Sequence, residues 1–92
     1  MDDGQFAEAV SRLALAAEAD ADNAQIWNAL GYGQMRLKHH KAALAALDRA
    51  IELKPDYQNA FLNRAVLKRL MGDREGAERD FERAVRLSQQ QR

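Results

Sequence analysis

The sequence predicts an all-α fold made of helices packed in antiparallel pairs, and three observations carry that reading. Apolar residues fall at helical spacing in two adjacent runs: Ile26, Trp27, Leu30 and Leu37, then Ala43, Leu44, Leu47, Ala50 and Ile51 after a polar break at Lys38 to Lys41. That spacing puts each run on one stripe of a helix, and two stripes joined by so short a break face each other. Size classes then recur 34 residues further on, where Trp27 meets Phe61, Gly31 meets Ala65, Ala43 meets Ala77, Leu47 meets Phe81 and Ala50 meets Ala84. The composition agrees: 92 residues with one proline, five glycines and abundant alanine, leucine, arginine and glutamate favour helix over sheet. A content of 47% hydrophobic and 30% charged residues suits one small globular domain.

Five helices are expected in order. Met1 to Gly4 is a polar lead whose Asp2 and Asp3 suit the positive end of the helix that follows, about Gln5 to Glu18. That helix carries Phe6, Ala7, Ala9, Val10, Leu13, Ala14, Leu15, Ala16 and Ala17, a belt wide enough to predict burial on two sides. Asp20 to Asn23 turns the chain, and Asp22 with Gln25 three residues later fits a capping box for a second helix from about Ala24 to Leu37. Gly31 inside that helix costs roughly 1 kcal/mol relative to alanine, which close helix contact would justify, with Trp27 filling the core beside it. The third helix, about Lys41 to Leu53, is apolar on several sides and stops at Pro55. Asp56 is placed to cap the fourth, about Tyr57 to Met71, with Gly72 as its left-handed terminator and Asp73 starting the fifth, about Arg74 to Ser88. The fifth is apolar mainly at Ala77, Phe81, Ala84, Val85 and Leu87. Its acidic residues Asp73, Glu75, Glu78, Asp80 and Glu82 read as one solvated, ion-paired face. Gln89 provides no stop, so a frayed tail is expected.

In order, Trp27, Leu30, Gly31, Ala43, Leu47, Ala50 and Pro55 match the pattern W-x2-L-G, A-x3-F, A, P of a 34-residue helix-turn-helix repeat, with leucine in place of phenylalanine. The chain resembles the tetratricopeptide repeat family over nearly its whole length. The resemblance implies a right-handed superhelical solenoid of antiparallel pairs in a single domain. Residues 1–23 would be a half repeat lacking its first helix, 24–57 a full repeat, and 58–92 a full repeat ending in a capping helix. It also implies a concave groove that holds a peptide or helix of a partner protein. Carried over by position, the groove residues are Gln25, Asn28, Tyr32, Met35 and Arg36 from one repeat and Asn59, Leu62, Val66, Arg69 and Leu70 from the next. Tyr32, Leu62 and Val66 would form an apolar floor, while Arg36 and Arg69 would converge on one carboxylate. The chaperone-binding carboxylate clamp of one subfamily is not expected, since Asn63 alone matches its positions and Asn28 and Tyr32 depart from them.

Other function classes lose support. Net charge is zero, so neither nucleic acid nor a membrane surface gains a general pull, and no apolar run is long enough for a span. The distribution is uneven. Residues 1–23 hold six acidic residues and one basic, a net of −5, against +2 for residues 24–57 and +3 for 58–92. Without cysteine or a visible leader, a cytoplasmic setting is expected. His39 and His40 are adjacent in a turn with no converging ligands, and Ser11 and Ser88 have no activating partner at motif spacing, so no metal, cofactor or catalysis is expected. An alternative to the groove is a structural unit that oligomerises through its uncovered first helix, as a homodimer through Phe6, Val10, Leu13 and Ala17.

Overall fold

The computed structural model describes residues 2–90. Five helices follow one another: α1 (Asp3–Ala19), α2 (Ala24–Arg36), α3 (His40–Leu53), α4 (Gln58–Leu70) and α5 (Arg74–Gln90). They stack in sequence as a right-handed superhelical array measuring 34 × 28 × 20 Å, with α2 paired to α3, α4 to α5, and α2 touching α4. Among the described residues there is no strand.

The ends of the helices follow from local chemistry, in places one residue from where the pattern put them. Helix α1 begins inside the expected lead, because Asp2 accepts the Gln5 amide at 2.9 Å while the Gln5 side chain accepts the Asp2 amide at 2.8 Å. At α2 the expected Asp22–Gln25 box does not form. Asn23 is the cap, its Oδ1 accepting the amides of Gln25 at 3.0 Å and Ile26 at 3.3 Å. Its short side chain and extended backbone bring one oxygen under two free amides, while Asp22 points to solvent near Arg49. Nor does Asp56 cap α4. The cap residue is Tyr57, without a side-chain cap bond, held instead by the Lys54 ammonium 4.8 Å from its ring centre. Asp73 does start α5, accepting the Gly76 amide at 2.9 Å. That helix runs past Gln89 to Gln90, and any fraying of Gln91 and Arg92 lies outside the described residues.

Helices α2 and α4 end in the same way. Lys38 donates to the Met35 carbonyl at 2.9 Å and His39 to Gln34 at 2.9 Å; Gly72 donates to Arg69 at 3.0 Å and Asp73 to Lys68 at 2.8 Å. Both are Schellman ends, which need a left-handed residue just past the helix. Gly72 supplies it at φ +89°, and Lys38 supplies it at φ +65° with a side chain to accommodate.

The core is a column of small and branched residues between successive helices. Leu47, Leu67 and Leu87 are completely buried, each contributing about 1.5–3 kcal/mol of apolar transfer. Gly31 lies so close to α3 that a Cβ built on it would stand 2.7 Å from Leu47 Cγ and 3.2 Å from the Ala43 carbonyl. Trp27 is not the central filler that its size predicted. It is half-buried at the edge of a cluster of Ala17, Leu30 and Ala46, where its Nε1 donates to the Ala21 carbonyl at 2.7 Å. An indole needs a partner for its N–H, and that turn carbonyl is at the rim. Helix α1 likewise buries less than its belt promised: Phe6 and Ala17 are buried against α2, Val10 and Leu13 only partly, and Leu15 is 67% exposed.

Candidate functional site

The face on which α2 and α4 run side by side holds most of the predicted groove residues. At its centre the Asn63 Nδ2 donates to Asn28 Oδ1 at 3.0 Å, and Asn28 Nδ2 reaches Tyr57 Oη at 3.4 Å. Gln25 and Asn59 are exposed in the first turns of the two helices. Tyr32 lies one turn beyond Asn28, 41% exposed, its ring 6.3 Å from that of Phe6 and tilted by 59°. Three and seven residues after Asn63 on the same face of α4 stand Val66, 41% exposed, and Leu70, 57% exposed. Leu70 closes a cleft with Met35, Arg36, Lys38 and His40 where the C-terminal ends of α2 and α4 approach.

Four of the predicted residues are placed otherwise. Met35 is buried in the core with Ala43, Leu47 and Leu67, so it is a floor for the fold rather than a free contact. Leu62 is half-buried against Phe61, Ala84 and Leu87, on the side of α5. Arg36 and Arg69 do not converge. The Arg36 guanidinium lies 5.3 Å from the Phe6 ring centre on α1, and that of Arg69 lies 5.8 Å from the Phe81 ring centre on α5. A flat, weakly hydrated cation gains from an aromatic face, and the nearest rings lie on opposite flanks. Lys38 and His40 line the cleft although the sequence placed them in a solvated turn; their proximity to Leu70 depends on the α2–α4 contact, which spacing along one helix does not reveal.

The strongest polar cluster lies on the other side of α4. Asp80, 4% exposed, accepts from Arg64 Nε and Nη2 at 2.8 Å each and from the Lys68 ammonium at 3.0 Å, while Arg64 Nη1 reaches Asp48 at 3.0 Å. The reading of Asp80 as part of a solvated face is therefore corrected: it is the buried anchor that ties α5 to α4, and Arg64 extends the tie to α3. Burial opposes ionisation of Asp80, but the hydrogen bonds from Arg64 and Lys68 outweigh it and hold the carboxyl below the usual range. The same hydrogen bond to Asp80 raises Arg64, against the opposing effect of its own burial. All four groups are mutually satisfied, which makes this a structural tie with no free group for chemistry. Among the described residues no three metal-binding side chains gather, and no helix is long and apolar enough to cross a membrane.

Comparison with known proteins agrees with this architecture. The tetratricopeptide repeat model matches residues 24–57 and again residues 58–91. The chain is 32% identical over 79 residues to Protein FlbA of Caulobacter vibrioides, covering 86% of this chain and 13% of that protein. It is 52% identical over 46 residues to Tetratricopeptide repeat protein 36 of Mus musculus, covering 50% of this chain and 25% of the relative. The chain thus spans a quarter or less of these relatives. The solved structure titled MamA MSR-1 C2 superposes with a TM-score of 0.89 at 25% identity, over 96% of this chain and 51% of that one. Repeats of this kind serve in general as protein-interaction scaffolds, and this chain belongs to the tetratricopeptide repeat family.

Proposed function

We propose that the chain is a non-enzymatic interaction module, a single domain with residues 1–23 as the second half of a repeat, that holds a partner segment along the α2–α4 face. The segment takes apolar anchors on Tyr32, Val66 and Leu70 and an acidic residue in the cleft of Arg36, Lys38 and His40. The observation that carries this reading is the joint exposure of those three large apolar side chains beside basic ones. Among the described residues, neither Arg36 nor Lys38 has a carboxylate within ion-pair distance, so a ligand carboxylate meets no internal competitor. Charge-assisted hydrogen bonds of this kind contribute about 1.5–3 kcal/mol each. The Asn28–Asn63 pair offers amide groups midway along the face for the backbone of an extended segment.

The test is a panel of peptides with apolar anchors and either an acidic, a neutral or a basic terminal residue, titrated calorimetrically. Acidic peptides should bind best, and Arg36→Glu with Lys38→Glu should weaken them at least tenfold while leaving the fold intact by circular dichroism. Val66→Asp should weaken all of them. A folded double variant of unchanged affinity, or a preference for basic peptides, refutes the reading. The homodimer reading fares less well, because two of its four contacts, Phe6 and Ala17, are spent inside the α1–α2 seam.

A further inference from the structure

The cleft where the C-terminal ends of α2 and α4 approach holds more positive charge than one carboxylate balances. It is lined by Met35, Arg36, Lys38, His40 and Leu70, with no acidic residue among them. Arg36 and Lys38 are two cationic groups that, among the described residues, have no ion-pair partner. A carboxylate supplies one charge and two oxygens, whereas a phosphorylated serine carries about −1.5 to −2 at pH 7 and presents three acceptor oxygens. Resting on the reading of the α2–α4 face as the seat of a partner segment, we propose that the acidic group taken by this cleft is a phosphorylated serine or threonine of that segment, with a large apolar residue two positions away.

The donors come from three segments of a reversing chain. Arg36 ends α2, Lys38 occupies the left-handed turn, and His40, whose ring offers an N–H, is the first residue of α3. Groups that leave the backbone where it changes direction suit a tetrahedral phosphoryl better than a flat carboxylate. The Arg36 guanidinium rests its face over the Phe6 ring at 5.3 Å, which leaves its N–H edge for a two-pronged contact with oxygen. Lys38 holds φ +65° with a side chain, although Gly72 makes the same turn after α4 without that strain. Strain kept at a position that sets a cation on the cleft points to a use for the cation. The end of α2 is negative, but α3 starts beside it with no acid in its first turn and no side-chain cap, and its positive end offsets the other. Spacing fixes the second requirement. Tyr32 stands four residues before Arg36, and Val66 four before Leu70, a rise of about 6 Å along each helix. An extended segment covers about 6.6 Å in two residues and turns both side chains the same way. An apolar residue over Tyr32 and Val66 is therefore two positions from the phosphorylated one.

The probes are short fluorescein-labelled peptides of alanine and glycine with one leucine two positions from a serine, a glutamate or a phosphoserine, made in both orders of leucine and variable residue. Titrated into the whole chain and followed by anisotropy, the phosphoserine peptide in its better order should bind at least about tenfold tighter than the glutamate peptide, and that one tighter than the serine peptide. Moving the leucine to the position next to the phosphoserine should weaken binding. Lys38→Gly relieves the left-handed turn, so it should melt no lower than the parent while losing about tenfold toward the phosphoserine peptide. Arg36→Gln gives a second, milder removal of charge and should also weaken that peptide. A glutamate peptide that binds as tightly as the phosphoserine one overturns this proposal and leaves the carboxylate reading of the face standing. Acidic peptides that bind no better than the serine peptide overturn both. Unchanged phosphoserine affinity in folded Lys38→Gly, or inorganic phosphate or phosphoinositide vesicles that bind as tightly as the phosphopeptide, overturns the assignment to a partner segment.

Discussion

The pairs α2–α3 and α4–α5 share one backbone plan and meet it with opposite chemistry at the same positions. Leu30 and Ala46 in the first pair correspond, 34 residues on, to Arg64 and Asp80 in the second. Leu30 and Ala46 pack with Ala17 in an apolar cluster; Arg64 and Asp80 form a bidentate ion pair of similar reach, with Lys68 and Asp48 completing it. Position within the repeat thus decides that a contact is made between the helices, and leaves open what makes it. The polar version is the more vulnerable, since removing one partner strands the others in a poorly hydrated place. The apolar version tolerates change in proportion to volume alone.

The largest effect should come from breaking that tie. Asp80→Ala should cost about 3–5 kcal/mol in chemical denaturation. Arg64→Leu combined with Asp80→Ala transplants the chemistry of the first pair and should recover most of the loss, ending within about 2 kcal/mol of the parent. If the double variant is as unstable as the single one, the two pairs are not interchangeable at this position. Acid offers an independent readout. Because the folded state holds the Asp80 carboxyl below its ordinary value, its contribution is fully present above the unfolded carboxylate range near pH ~4 and is lost as pH falls through the folded value. Denaturation curves between about pH 5 and 2 should fall less steeply for the double variant than for the parent.

An intermediate effect is expected at the helix crossing. Gly31→Ala puts a methyl against Leu47, where overpacking of about 1–3 kcal/mol exceeds a helix-propensity gain of roughly 1 kcal/mol. The melting temperature should fall by a few degrees. Ala65 shows that the second pair accepts the same methyl, fully buried, where Phe81 and Ala77 occupy the repeat positions of Leu47 and Ala43. Gly31→Ala should therefore be relieved by trimming Leu47 to valine, and an unrelieved double variant would place the strain elsewhere.

The smallest effects lie at the two Schellman ends, where Lys38 and Gly72 hold the same left-handed conformation. Gly72→Ala should cost about 1 kcal/mol through the backbone alone, since nothing lies within 4 Å of the added methyl. Lys38→Gly should gain about 0.5 kcal/mol, the relief being partly offset by a more flexible unfolded chain. A loss at Gly72 and a smaller gain at Lys38 in thermal melts would show that the two ends are one device with different residues.

How much of this molecule is legible in the sequence depends on the range of the interaction that sets each feature. The five helices, their pairing and the stops at Pro55 and Gly72 are legible because helical spacing, a missing amide and a left-handed turn are properties of a few neighbouring residues. The 34-residue recurrence extends that reach by one repeat, which is why Ala43, Leu47, Ala50, Ala77 and Ala84 are placed correctly in the core. The identity of the α2 cap is less legible, since Asp22 and Asn23 offer the same oxygen one residue apart and the backbone angle chooses between them. What only the tertiary structure decides is which face of a helix meets a neighbour more than one turn away in sequence. Asp80 alternates with arginines as a solvated acid would, yet Arg64 lies 16 residues earlier on the helix that covers it. Met35 and Tyr32 sit within one turn of α2, and the packing of α3 and α4 buries the first and leaves the second in solvent. Arg36 and Arg69 end their helices alike, and the positions of Phe6 and Phe81 on opposite flanks send them apart. Local spacing determines which side chains share a stripe, but the angle at which the next helix crosses determines which of them it covers.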